Sequence, residues 1–260
     1  MVSAHLQGGL GNYMFQISTA HSLALDHDVN TVFEIGTTTQ VHKHISEYID
    51  NIFRNVKFGT LPSGAIFNYV EKTFDYTPIE YQNGYNMRLN GYFQSEKYFK
   101  HHREELLSFF SPSPTTLNII HDKYGSILSR DSVCSIHVRR GDYLKLKDHH
   151  PTCDMTYYTD AMDEMSSDTT YLIFSDDIEW CKENFIGDQF IFVVGENDVT
   201  DLWLMSYCSH NIIANSSFSW WGAWLNDDKD KIVVAPSKWF GPAKGNTNTD
   251  DIYAKNWVKI

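Results

Sequence analysis

A chain of 260 residues is long enough for one large domain or two smaller ones, each with its own core. Hydrophobic residues at 42% and aromatics at 15% exclude a disordered chain. The formal net charge of -12 argues against a nucleic-acid partner, yet it is compatible with a phosphorylated small molecule held by a few local arginines. Four cysteines (Cys134, Cys153, Cys181 and Cys208) lie far apart without metal-type spacing and read as reduced thiols. No signal peptide opens the chain, and no apolar run approaches the roughly 20 residues of a membrane span, so a soluble, cytoplasmic protein without a transmembrane segment is expected.

In chain order, residues 2–6 predict a short strand, Gly8-Gly9-Leu10-Gly11 a turn, and the spacing of Phe15, Ile17, Ala20, Leu23 and Ala24 a helix. Residues 29–35 predict a second strand. From 36 to 85 the pattern is poor, with Pro62, Gly64 and Pro78 among scattered polar residues, and irregular chain with short helices is expected. A strand at 86–93 and a helix at 95–110 follow. Ser111-Pro112-Ser113-Pro114 then reads as a helix stop or domain linker. Beyond it, strands at 132–138, 170–174, 189–194, 210–214 and 231–235 alternate with helices at 115–129, 155–166, 177–186, 199–209 and 217–226. That alternation means βαβ units on a parallel sheet. The expected organisation is two α/β lobes, 1–113 and 114–260, the last residues packing back on the first lobe, with a cleft between them for the substrate.

Four blocks carry chemistry. In Ser135-Ile136-His137-Val138-Arg139-Arg140-Gly141-Asp142-Tyr143 a strand ends in two arginines and a glycine, at the strand end where α/β folds hold ligands. Guanidinium forks match the paired oxygens of phosphate or carboxylate, and His137 would share a face with Arg139 if the strand continued. A surface salt-bridge cluster, or an adhesive Arg-Gly-Asp loop, is the competing reading. In the second block, Asp201 opens an apolar run, and Asn215-Ser216-Ser217 then leads into a helix. Ser216 and Ser217 are helix caps, a phosphate seat, or both, and Trp220 and Trp221 either stack on a sugar or base or fill the core. The third, Gly8 to Asn12, lacks both GxGxxG spacing and a P-loop lysine, so its firm content is close backbone approach. The fourth, Asp176-Asp177, is either a cation site or a helix cap. Asp26-His27-Asp28 reads as solvated loop. His42, His44, His101, His102, His149 and His150 have no converging partners in sequence and read as surface histidines.

Taken together, Gly8 to Gln16, Gly91 to Phe99, His137 to Tyr143, Phe174 to Phe185, Asn215 to Asn226 and Ala235 to Phe240 resemble the α-1,2-fucosyltransferases of glycosyltransferase family 11, with only about 36–85 unmatched. The resemblance implies a GT-B-like fold of two Rossmann-type lobes, GDP-fucose as donor, a galactose-terminated glycan as acceptor, and inverting transfer to a 2-hydroxyl without a metal. By motif, Arg139 would bind the donor pyrophosphate beside His137, Ser216 and Ser217 would complete the phosphate seat, and Asp201 would read guanine N–H groups. Gly9 and Asp176 are counted with the donor side. Asn12 would stand near the reacting sugar, and Asp142 is the candidate general base, sugar contact or brace for its neighbours. Without an amino-terminal anchor, the chain resembles the soluble bacterial or viral branch. A non-catalytic carbohydrate-binding protein and a glycosidase are the alternatives. The second would need two carboxylates about 5–10 Å apart across a sugar.

Overall fold

The computed structural model describes residues 1–36 and 43–260, and His42 lies outside the described residues. Two compact units result: Met1–Pro112 with Asn248–Ala254, and Ser113–Thr247 with Lys255–Ile260. Among the described residues no helix is long and apolar enough to cross a membrane.

In the first unit, β1 (Val2–Ala4) turns through Gly8 and Gly9 into α1 (Leu10–Asp26), which is buried on most of its surface. Strands β2 (Ile66–Val70) and β3 (Asn86–Asn90) complete a parallel three-stranded sheet in the order β1-β3-β2. Helix α2 (Arg103–Phe109) ends the continuous part of the unit.

Three expectations need correcting here. Residues 29–35 form no strand, because Thr31 bridges Val2 while Phe33 bridges Phe58. Split between two partners, the segment never builds a ladder, although Val32 and Phe33 are buried. The segment expected to be irregular contains β2, which alternation cannot reveal because Ile66, Phe67 and Val70 are all exposed. Finally, 95–110 is not one helix: Ser95 caps a 3-10 turn at Glu96–Tyr98, Phe99 breaks it with a non-helical φ of -146°, and a second turn precedes α2.

The second unit opens with α3 (Pro114–Leu128). The Ser113 side chain accepts the Thr116 N–H at 3.1 Å, and Pro114 takes the first helical position, where a missing N–H costs nothing. There follow β4 (Val133–Val138), α4 (Met155–Met162), β5 (Thr170–Ser175), α5 (Ile178–Asn184), β6 (Phe190–Phe192), α6 (Asp198–Ser206), β7 (His210–Ile212), α7 (Ser217–Leu225), β8 (Val233–Ala235) and β9 (Val258–Lys259). All the strand pairs are parallel, in the order β6-β5-β4-β7-β8-β9.

Every residue of β4 is buried, as its run of β-formers requires of a central strand covered on both faces. The chain builds outward from β4 first through β5 and β6, then through β7 to β9. The order therefore reverses between β4 and β7, and such a switch point opens a crevice at the strands' carboxyl ends. Trp220 and Trp221 are fully buried, so of the two readings offered for them the core is the one observed. Gly222 lets α7 approach α6, since a Cβ there would lie 3.0 Å from the Cβ of Met205.

Candidate active site

The strand β4 stops at Val138, and the next five residues turn over the carboxyl end of the sheet. The Arg139 guanidinium is gripped from two sides, Nη2 donating to Oδ1 of Asp142 at 2.6 Å and Nη1 standing 2.9 Å from Oδ2 of Asp176. These contacts occupy two of its five N–H donors. Asp176 comes from the end of β5, the neighbouring strand, and its other oxygen accepts the backbone N–H of Arg140 at 2.9 Å. One carboxylate thus ties two strand ends together. Gly141 is required for that closeness, because a Cβ there would sit 2.6 Å from Oδ2 of Asp176.

Arg140 turns elsewhere. Its Nε donates to Oδ2 of Asp177 at 3.0 Å, and its guanidinium lies 4.0 Å from the Trp180 ring centroid. Asp177 also caps α5 by accepting the Trp180 N–H. The two arginines, alike in sequence, therefore differ in setting, and so do the two aspartates: Asp177 is a cap, Asp176 is not.

Tyr143, to which sequence alone gave no role, connects this turn with the segment between β7 and α7. Its hydroxyl donates to the Asn215 carbonyl at 3.1 Å, its ring stacks on His150, and Arg139 lies 5.4 Å from its centroid. Burial pushes the phenol's pKa well above the usual tyrosine range. His150 is thus no surface histidine, being packed between Tyr143 and Phe240, whereas His149 is exposed. Asn215 is buried, its amide donating to the carbonyls of Pro151 and Trp239, so although Asn215-Ser216-Ser217 matches an N-glycosylation sequence, the side chain is closed to glycan attachment in the folded chain.

Ser216 caps α7, its hydroxyl accepting the Phe218 N–H at 3.3 Å, and Ser217 is the first helical residue. His137 is buried in β4, with its ring 5.5 Å from that of Phe218. Burial, aided by the charge of Arg139, pushes its pKa down to about 3, and its Nδ1 has no hydrogen-bond partner. A neutral imidazole next to the arginine adds no positive charge but can offer one hydrogen bond.

Direct contact therefore joins Arg139, Asp142 and Asp176, and Tyr143 and His137 extend the group towards Asn215 and the start of α7. Asp201 belongs to another element, the first turn of α6, where Asn197 is the cap. Gly9 and Asn12 belong to the first unit. Gly9 is the N-cap of α1 without a side-chain cap bond, and Asn12 accepts from the Gln94 amide at 2.8 Å. Gly8, at φ +89°, leaves no space beside the Asn12 amide.

The family model described as Glycosyl transferase family 11 matches residues 1–260. An α-1,2-colitosyltransferase of Escherichia coli is 30% identical, the match covering 100% of this chain and 99% of that protein. The galactoside α-(1,2)-fucosyltransferase 2 of Oryctolagus cuniculus is 24% identical over 90% of this chain and 69% of its own. Among solved structures, the NodZ α-1,6-fucosyltransferase soaked with GDP-fucose superposes with a TM-score of 0.55 at 13% identity, over 86% of this chain and 92% of the other, a likeness of fold.

Proposed function

The chain belongs to glycosyltransferase family 11, and from that premise we propose that it moves L-fucose from GDP-β-L-fucose to the 2-hydroxyl of a galactoside, with inversion and without a metal. The observation that carries this reading is the guanidinium of Arg139 held at the carboxyl end of β4, next to the switch point of a doubly wound sheet.

In such a transfer the bond between the sugar's C1 and the β-phosphate oxygen breaks as the acceptor oxygen bonds to C1 from the opposite face, and the hydroxyl proton passes to solvent water. Positive charge spreads over the sugar ring while negative charge gathers on departing GDP. A fixed guanidinium and the N–H groups at the start of α7 offset that charge most strongly at the transition state. In this reading Arg139 holds the pyrophosphate with Ser216 and Ser217, His137 offers its neutral ring, and Asp201 accepts from guanine. Asp176 and Asp142 aim the arginine, and the bracing contact of Asp142 favours that role over general base. A glycosidase would pair Asp142 with Asp176 or Asp177, but Asp142 and Asp176 are both bonded to the Arg139 guanidinium and Asp177 to that of Arg140, which speaks against hydrolysis.

Similarity to a colitosyltransferase supports a second reading of the donor, since colitose is fucose without its 3-hydroxyl. The test incubates purified protein with GDP-fucose or GDP-colitose and a panel of β-galactosides, each with and without EDTA, and reads products by mass spectrometry and linkage analysis. A fucosylated galactoside formed in EDTA is expected. Transfer from GDP-colitose alone would replace the donor, and a requirement for added divalent ion would overturn the metal-free mechanism. Arg139→Ala is expected to lower turnover about 100- to 1,000-fold, the loss typical of removing one donor to a developing anion. Unchanged turnover in that variant, with fold verified by circular dichroism, would remove Arg139 from the mechanism.

A further inference from the structure

Asp26 closes α1, while His101 and His102 occupy the 3-10 turn Lys100–His102 ahead of α2. Some 75 residues apart in sequence, they converge in the first unit. Nε2 of His102 lies 2.8 Å from Oδ1 of Asp26, and Nε2 of His101 lies 3.1 Å from Oδ2. Consecutive side chains on a strand would point to opposite faces. Here the turn brings the two rings to a centroid separation of 4.5 Å, and both present the same ring nitrogen to one carboxylate. One ligand atom from each of the three residues falls within 4.8 Å of the other two.

Two imidazole nitrogens with one carboxylate oxygen form a donor set for first-row transition ions, whereas calcium and magnesium prefer oxygen alone. A second observation concerns the far side of a ring. Nδ1 of His102 lies 4.0 Å from Oε2 of Glu105. An imidazole that ligates through Nε2 carries its proton on Nδ1, and metal-bound histidines commonly direct that proton at a carboxylate. Glu105 is therefore on the side of the ring where a ligating His102 needs it. The Ser22 hydroxyl, 3.2 Å from Nε2 of His101, adds a nearby oxygen on α1. The cluster is partly open to solvent, with side-chain exposures of 38%, 47% and 21% for Asp26, His101 and His102, so an ion can reach it.

We propose that Asp26, His101 and His102 bind a divalent first-row transition ion, zinc being the representative, with water completing the coordination. The bound ion clamps the end of α1 to the turn that leads into α2. It uses none of the residues assigned to sugar transfer, so it is a binding and stabilising site, compatible with transfer that proceeds in EDTA.

The test is zinc chloride titrated into the full chain after EDTA has been dialysed away, followed by calorimetry, with magnesium chloride as the control ion. One zinc per chain is expected, with affinity falling about tenfold or more in His101→Ala and again in His102→Ala. Zinc should raise the thermal midpoint of the wild type and leave that of the double variant unmoved. Absence of saturable zinc binding in the wild type overturns the proposal, as does a double variant that still binds one zinc with unchanged affinity. Should a variant fail to fold, cobalt(II) added to the wild type decides. Visible bands of a nitrogen- and oxygen-ligated cobalt support the site, and the spectrum of hydrated cobalt alone overturns it.

Discussion

Gly141 shows how tightly the residues around Arg139 constrain one another. A methyl group there would meet Oδ2 of Asp176 at 2.6 Å, and Asp176 could yield only by releasing Arg139, the Arg140 N–H, or both. Gly141→Ala should therefore weaken GDP binding about tenfold, roughly the value of one charge-assisted hydrogen bond. Calorimetry with GDP checks this, and an unchanged affinity would show that the clamp does not set the arginine's position. His137 makes a prediction about pH. Its folded pKa of about 3 lies below the unfolded value of 6.5, so between these limits the unfolded chain binds the extra proton. Stability therefore rises with pH through that window, and the His137 contribution is lost as pH falls from 6.5 towards 3, by at most about 1.4 kcal/mol per pH unit. His137→Gln removes the titrating group. Urea unfolding at pH 5 and pH 7.5 should show a smaller difference for the variant than for the wild type.

At the scale of elements, the loop after β3 carries the clearest local strain. Phe93 is a buried non-glycine residue with φ +54°, a conformation that costs about 1–3 kcal/mol and needs support from its surroundings. Glu71 supplies it, its carboxylate accepting the N–H of Tyr92 at 2.7 Å and that of Phe93 at 3.0 Å. Burial raises the Glu71 pKa, and these two N–H bonds oppose the rise. The next residue, Gln94, donates to Asn12, so Glu71 fixes the setting of Asn12 through the loop. Glu71→Ala should destabilise the chain by about 2 kcal/mol, the cost of stranding two backbone donors and an unsupported left-handed residue. A midpoint in urea equal to the wild type would refute this. Elements differ in legibility for related reasons. The central strands β4 and β5 were readable because apolar β-formers must be continuous where both faces are covered, whereas the two-residue β9 gave no run to read. The strand β2 was not, since an edge strand with exposed apolar residues carries no alternation, and Glu71 just beyond it looked like one more polar residue among many.

On the scale of the molecule, the same contrast separates the parts of the site. Arg139 was legible because a strand end with arginines and a glycine is a local pattern. The pairing of Arg140 with Asp177 and Trp180, the bond from Tyr143 to Asn215, and the convergence of Asp26 on two histidines were not, because each joins segments tens of residues apart. One global feature of composition turns this division into a measurement. All seven tryptophans lie within Ser113–Thr247 or Lys255–Ile260, so tryptophan fluorescence reports the unfolding of the second unit alone. The residues assigned to GDP lie largely in that unit. A ligand bound only to the folded state adds about 2.7 kcal/mol at one hundred times its dissociation constant, which shifts a midpoint by several degrees in a unit of this size. GDP should therefore raise the tryptophan-monitored midpoint of the wild type and leave that of Arg139→Ala unmoved at the same concentration. Zinc acts on the first unit, which has no tryptophan, so its stabilisation should be larger in far-ultraviolet circular dichroism than in tryptophan fluorescence. If GDP shifts the wild type and Arg139→Ala equally, the nucleotide is held without the arginine. If zinc shifts the tryptophan signal as much as GDP does, the two units unfold as one, and the tryptophans no longer report on the second unit alone.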